Sequence, residues 1–259
     1  MTEKIISRKD GAIGWLVFNN PERRNAVSLE MWEAIPGVLE SFVADAAIRA
    51  IVLTGAGDKA FVSGADISQF EKQRSSAETV AHYDAMGEKA QTALKHCDKP
   101  VIAMIRGYCI GGGLNIANLC DLRIASDDAR FGIPAAKMGL GYRASSMKNL
   151  VDIVGAAYAR EIMITARQFN AEEALRMGLV QKVVPVPELE KTVREYCDMI
   201  AANAPLTMRA AKRIIREVSA AEYDTEACQA WVKECFDSED YREGRRAFME
   251  KRKPVFKGK

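Results

Sequence analysis

Gly107-Tyr108-Cys109-Ile110-Gly111-Gly112-Gly113-Leu114-Asn115-Ile116-Ala117 is the stretch whose reading decides the fold. It follows an apolar run with strand character, Pro100-Val101-Ile102-Ala103-Met104-Ile105, and runs on into a helix-compatible segment. Three adjacent glycines therefore fall at a strand-to-helix corner. They let the chain turn sharply and leave main-chain N–H groups bare at a helix start, where partial positive charge collects. Such a corner can hold an oxyanion. Nucleotide-binding turns are a poorer match, because the G-x-G-x-x-G spacing and a following Lys-Ser or Lys-Thr are both missing.

Working outward, Ala60-Phe61-Val62-Ser63-Gly64-Ala65-Asp66-Ile67 is another strand that ends in small residues. A main-chain N–H from this second corner can face the same point. Two converging donors form an oxyanion hole, which stabilises charge developing on a carbonyl oxygen by about 3 kcal/mol per donor. Further short apolar runs read as buried strands: Gly14–Asn19, Arg49–Thr54 and Asp121–Ala125. Leu29, Trp32, Ile35, Leu39 and Phe42 follow helical spacing after a Ser28 cap, with Pro36 out of place inside it. These alternations predict a mixed α/β core.

From about residue 145 strand signals almost vanish. Asn170 with Glu173 reads as a reciprocal helix cap and Gly178 as a helix stop. Residues 187–203, 206–220, 223–236 and 238–250 read as amphipathic helices, with Pro187 and Pro205 at entrances and Asp237 or Ser238 as a further cap. A core over 1–195 and a helical C-terminal region over 196–259 follow, with no long linker between them.

Composition narrows the function. The chain has 259 residues, 48% of them hydrophobic, enough for one sizeable core. Its 37 Lys+Arg against 35 Asp+Glu show no basic block that tracks a nucleic-acid backbone. Apolar runs stop well short of the roughly 20 residues a bilayer span needs, so no membrane partner is expected. The first ten residues lack a secretory pattern, and six cysteines without a C-x-x-C pair suit buried thiols in a reducing cytoplasm. With two histidines and no ligand spacing, no metal site is expected.

The phrases Phe61–Ile67, Lys99–Ala103, Gly107–Gly113, Cys120–Ala125, Phe131-Gly132-Ile133-Pro134 and Glu250–Phe256 together resemble the enoyl-CoA hydratase/isomerase family, the crotonases, in the family's order and over nearly the whole chain. The resemblance implies a spiral of β-β-α units and a helical C-terminal region that builds trimers, often paired into hexamers. It also implies an acyl-CoA substrate, with coenzyme A arriving as part of the thioester and no separate cofactor. Carried over position by position, it makes the N–H groups of Ala65 and Gly112 the oxyanion donors. Arg24 and Ala26, within Pro21–Val27, with Ala65, Asp66 and Ile67, match the segments along coenzyme A. Phe248 and Lys251 match positions that meet its adenine end, in some relatives from a neighbouring subunit.

The pattern also breaks. Where the family's hydratases carry two glutamates, this sequence has Asn115 and Ala135. Neither can exchange a proton as a carboxylate does, and general acid–base catalysis contributes roughly 10²–10⁴-fold. Asn115 can still orient a water or a carbonyl. In Lys137–Arg143, Tyr142 falls where the family's methylmalonyl-CoA decarboxylases have a pocket tyrosine, and Arg143 can grip an acyl-chain carboxylate or face solvent. Those decarboxylases carry histidine at the position of Ala65, which this chain does not. His82 and Tyr83 lie in a stretch that covers the acyl pocket in relatives, with a helix-surface role favoured for both. Three readings stand open: a hydratase- or isomerase-type enzyme, a decarboxylase of a malonyl-type CoA, and a non-catalytic acyl-CoA binder.

Overall fold

The computed structural model describes residues 2–66 and 77–259. Its strands are β1 (Ile5–Asp10), β2 (Ile13–Phe18), β3 (Ala50–Gly55), β4 (Ala60–Val62), β5 (Val101–Ile105), β6 (Tyr108–Ile110), β7 (Leu122–Ser126), β8 (Arg130–Gly132), β9 (Phe169–Asn170) and β10 (Lys182–Val184). The helices are α1 (Leu29–Ala44), α2 (Ala77–Lys95), α3 (Gly112–Asn118), α4 (Ala144–Thr165), α5 (Ala171–Arg176), α6 (Leu189–Ala201), α7 (Pro205–Val218), α8 (Thr225–Asp237) and α9 (Glu239–Met249).

Two sheets result. The larger has the order β1-β2-β3-β5-β7-β10, parallel throughout except for the β1–β2 hairpin. The smaller has the order β4-β6-β8-β9, with β4, β6 and β8 parallel and β9 antiparallel. Each of the pairs β3–β4, β5–β6 and β7–β8 sends its first strand to the large sheet and its second to the small one. That repeat is the spiral of β-β-α units expected from the sequence.

Strand periodicity explains the layers, because successive side chains on a strand face opposite ways. On β3, Ile51 and Leu53 enter the main core with Phe18, Phe42, Phe61, Phe131 and Phe169. Ala50 and Val52 face the other way, joining Trp15, Ile102 and Ile124 against Leu189, Val193 and Cys197 of α6. The division expected at residue 195 thus falls within α6, a helix packed under the large sheet.

Pro36 does lie inside α1, where it removes one ladder hydrogen bond. The helix persists because Met31, Trp32, Ile35, Val38, Leu39 and Phe42 are all buried on its inner side. The Asn170–Glu173 capping box forms as expected, at 2.8 and 2.9 Å. β9 and β10, two and three residues long, are too short to show a period and were not anticipated after residue 145.

The C-terminal helices dock on the core through charge-assisted hydrogen bonds. Arg213 of α7 donates twice to Asp98 at 2.9 and 2.8 Å, and Lys212 donates to the Lys99 carbonyl at 2.6 Å. Arg49 reaches the carbonyls of Asn203 and Phe256. Among the described residues no helix is long and apolar enough to cross a membrane.

Candidate active site

β4 and β6 are neighbours in the small sheet and run parallel, so they end side by side at one edge. Adjacent strands lie about 4.8 Å apart, and the carboxyl edge of a parallel arrangement is where ligand crevices form. Ala65 stands three residues past β4 and Gly112 two past β6. This neighbourhood brings together two corners that are far apart in sequence.

Local chemistry leaves both amides free. Gly111, with φ 56° and ψ −115°, adopts a conformation that a Cβ would oppose, and its N–H donates to the Gly132 carbonyl of β8 at 2.8 Å. Gly113 admits no side chain, since a Cβ there would lie 2.0 Å from the Val62 carbonyl oxygen of β4. A Cβ on Gly112 would sit 3.8 Å from the Ala65 nitrogen, so the corners face each other at contact distance. As the first residue of α3, Gly112 has an N–H without an intrahelical acceptor. On the other corner, Val27 donates to the Gly64 carbonyl at 2.8 Å and Asp66 donates to the Val27 carbonyl at 3.0 Å. In that parallel bridge the intervening residue, Ala65, turns its own N–H to the opposite side. Among the described residues neither amide has an acceptor.

A cavity of about 510 Å³ opens beside them. Ile110, Ile133, Pro134, Ala135 and Leu140 give it apolar walls, and Tyr83, Asp84, Gly87 and Gln91 of α2 form its roof. Ala65, Gly112, Asn115, Tyr142 and Arg143, all singled out in the sequence, line this one space. Asn115 is buried and donates through Nδ2 to Gln91 Oε1 at 2.8 Å, while its buried Oδ1 has no partner among the described residues. Burial pushes the Tyr142 phenol up to about 12, so it stays protonated near neutral pH and acts as a donor rather than a base. Arg143 Nη2 lies 2.5 Å from Asp84 Oδ2, a carboxylate that already engages the guanidinium considered for an acyl-chain carboxylate.

Tyr83 lies on the cavity wall and accepts a hydrogen bond from Trp32 Nε1 at 3.0 Å, tying α2 to α1. His82 is exposed, 3.4 Å from Glu33, outside the cavity wall. Two residues of the site were not singled out in the sequence, Asp84 and Gln91. They belong to no family phrase, and their visible signal is the spacing 84, 87, 91 on one helical face. Arg123 was likewise unassigned. It is buried and donates to the carbonyls of Ala117, Cys120 and Leu179 at 3.3, 2.8 and 2.7 Å, holding the far end of α3 in place.

The segment expected along coenzyme A runs beside the first corner. Ser63 donates to the Arg24 carbonyl at 3.1 Å, and the exposed Arg24 guanidinium stacks 5.0 Å from the Tyr108 ring centroid. Buried Asn25 donates to the carbonyls of Ala56 and Ala60 at 2.9 and 2.7 Å and fixes this loop. Ala26 is buried and accepts a hydrogen bond from Asn20, and Asp66 is buried beside it. Ile67 lies outside the described residues. Phe248 and Lys251 are away from the cavity: Phe248 lines a separate, open apolar trough of about 1030 Å³ among α7, α8 and α9, and Lys251 follows α9.

Comparisons with known proteins identify the family. The sequence profile described as "Enoyl-CoA hydratase/isomerase" matches residues 8–259. The chain is 36% identical to the short-chain-enoyl-CoA hydratase of Clostridium acetobutylicum over 251 residues, covering 96% of this chain and 95% of that protein. It is 34% identical to the crotonyl-CoA hydratase of Syntrophomonas wolfei, covering 98% of each. A crystal structure of an enoyl-CoA hydratase/carnithine racemase from Magnetospirillum magneticum superposes with a TM-score of 0.95 at 36% identity, covering 100% of this chain and 97% of that one. With the spiral fold, the paired corners and matches of this extent, the chain belongs to the enoyl-CoA hydratase/isomerase family, within the crotonase superfamily.

Proposed function

We propose that the cavity binds the acyl thioester of an acyl-CoA, and that the N–H groups of Ala65 and Gly112 hold its oxygen while it becomes an enolate. The observation that carries this reading is the pair of uncommitted amides at neighbouring strand ends, set in a largely apolar wall. Donors fixed in advance in such a place stabilise developing charge without reorganisation. The two hydratases to which the chain is similar support a short-chain substrate and a lyase or isomerase reaction.

The side chains around the amides limit the route. Asn115 and Ala135, at the positions of the family's glutamates, leave no carboxylate pair to deliver water and a proton. Chemistry that mainly needs a stabilised enolate fits better. Tyr142 favours a second reading, decarboxylation of a malonyl-type CoA: its protonated phenol can donate to the reacting acyl group as the C–C electron pair moves to the thioester oxygen and CO₂ leaves. In that reading Arg143 exchanges Asp84 for the acyl carboxylate.

Arg24 is assigned to a coenzyme A phosphate, because its exposed guanidinium offers forked donors beside the Ala65 corner. Ala26, Asp66 and Ile67 are assigned to the path of the pantetheine. Phe248 and Lys251 lie outside this chain's own cavity, which supports a homotrimer or homohexamer in which they serve a neighbour's coenzyme A.

One preparation tests these assignments together. Incubated with crotonyl-CoA and, separately, methylmalonyl-CoA, the protein is expected to consume at least one, with loss of enoyl absorbance marking hydration and propionyl-CoA plus CO₂ marking decarboxylation. Sedimentation of the same sample is expected at three or six times 28.6 kDa. Binding of both thioesters without turnover of either, extended over a panel of acyl-CoAs, would leave an acyl-CoA binder and sink the enzymatic reading.

A further inference from the structure

Asp84 is the one carboxylate among the described residues that line the cavity. It stands on α2 with Gly87 and Gln91 at the next two positions of the same helical face, above the corners that carry the free amides. Arg143, the residue before α4, approaches Oδ2 at 2.5 Å, whereas Oδ1 has no partner among the described residues. The ion pair therefore orients the carboxylate and leaves one oxygen uncommitted. Gly87 keeps the space beside it open: a Cβ there would approach nothing nearer than Gln91 Nε2 at 3.9 Å and Trp32 Cε2 at 4.0 Å. Across the cavity, the positions from which the family's glutamates would act hold an amide and a methyl group.

We infer that Asp84 takes and returns the proton at the carbon next to the thioester, an assignment that rests on the enolate reading above. With the thioester oxygen on the two amides, the carboxylate removes a proton from that carbon. The C–H pair becomes the enolate double bond, and the carbonyl π pair moves onto the oxygen. Protonated Asp84 then gives the proton back to the same carbon. When the substrate carries a double bond between its third and fourth carbons, the proton goes instead to the fourth carbon, and the double bond moves into conjugation with the thioester. No electrons are gained or lost and no co-reactant is needed. One carboxylate is enough for such a shift, whereas hydration by the family's route uses two, so the substrate class this site suits is a 3-enoyl-CoA.

An alternative role for Asp84, a latch that merely pins α2 to the start of α4, is separated by Asp84→Asn. The amide has the same shape and keeps an oxygen facing Arg143, so proton transfer is lost while the thermal midpoint reports what the lost ion pair costs. The measurement is exchange of the α-protons of butyryl-CoA with ²H₂O, followed by NMR, alongside the dissociation constant for the same thioester and the thermal midpoint. Wild type is expected to exchange; Asp84→Asn is expected to lose roughly 10²-fold or more in rate with binding changed by less than about threefold, and Asp84→Glu to recover part of the loss. Wild-type exchange in a folded Asp84→Asn variant would remove Asp84 alone and leave the enolate reading standing. No exchange by wild type with acetyl-, propionyl-, butyryl- or hexanoyl-CoA would overturn both.

Discussion

Asn115 lies in the first turn of α3 with Nδ2 on Gln91 and a buried Oδ1 that has no partner among the described residues, a polar group held at the cavity wall where it cannot carry a proton. Ala135 lies on the same cavity after β8 and leaves room for a longer side chain to reach inward. Replacing both by glutamate supplies the missing carboxylates beside the two amides proposed to hold the oxyanion. Asn115→Glu with Ala135→Glu is expected to raise crotonyl-CoA hydration by roughly 10²-fold or more over the parent, read from the loss of enoyl absorbance. A folded double variant with unchanged hydration would argue that the two positions do not face the reacting carbons. Burial disfavours the charged form of a carboxylate, so the gain should be larger at pH 8 than at pH 6. Much of the candidate site was legible because its proposed donors are main-chain groups announced by glycine-rich phrases. Asp84 and Gln91 were not, since one polar residue per turn on a helix looks like any solvated face until a cavity is seen beneath it.

Among the elements, α3 is short, and seven residues cannot hold a helix in place by their own hydrogen bonds. Its position comes from both ends. Gly113 packs directly on the β4 backbone at the start, and Arg123 of β7 gathers the carbonyls of Ala117 in the last turn and Cys120 just beyond it. Among the described residues the buried Arg123 charge has no carboxylate partner, and carbonyl dipoles at a helix C-terminus stabilise it. Arg123→Ala removes three donors to buried carbonyls and leaves space behind. It is expected to lower stability by about 3 kcal/mol, seen as a shift of the urea midpoint, and to slow turnover by displacing Gly112. A variant as stable as the parent would show that α3 is positioned from its glycine end. The strands that position the site were legible from apolar runs bounded by Gly or Pro. The two-sheet arrangement was not, because β4, β6 and β8 are three residues each and nothing in so few residues says which sheet they join. The family resemblance, carried by phrases rather than periodicity, supplied that part.

Over the whole molecule, the large sheet is the scaffold and the small sheet the working edge. α6 covers one face of the large sheet, and the main core fills the other. Three successive β-β-α units then deliver three strand ends side by side: Ala65 after β4, Gly112 after β6, and Pro134 with Ala135 after β8. The loop around Arg24 and the roof helix α2 lie beside that edge. What the spiral achieves is convergence, bringing residues from distant parts of the chain to one cavity.

Gly112→Pro tests that convergence most directly. Proline suits the first position of a helix, where the N–H has no intrahelical acceptor, and the space around Gly112 admits a Cβ at ordinary contact distance. The substitution therefore deletes one of the two proposed oxyanion donors and leaves the fold in place. With the thermal midpoint as a check on folding, α-proton exchange of a bound acyl-CoA is expected to fall by roughly 10²–10³-fold. Exchange at the wild-type rate in the folded variant would contradict the account.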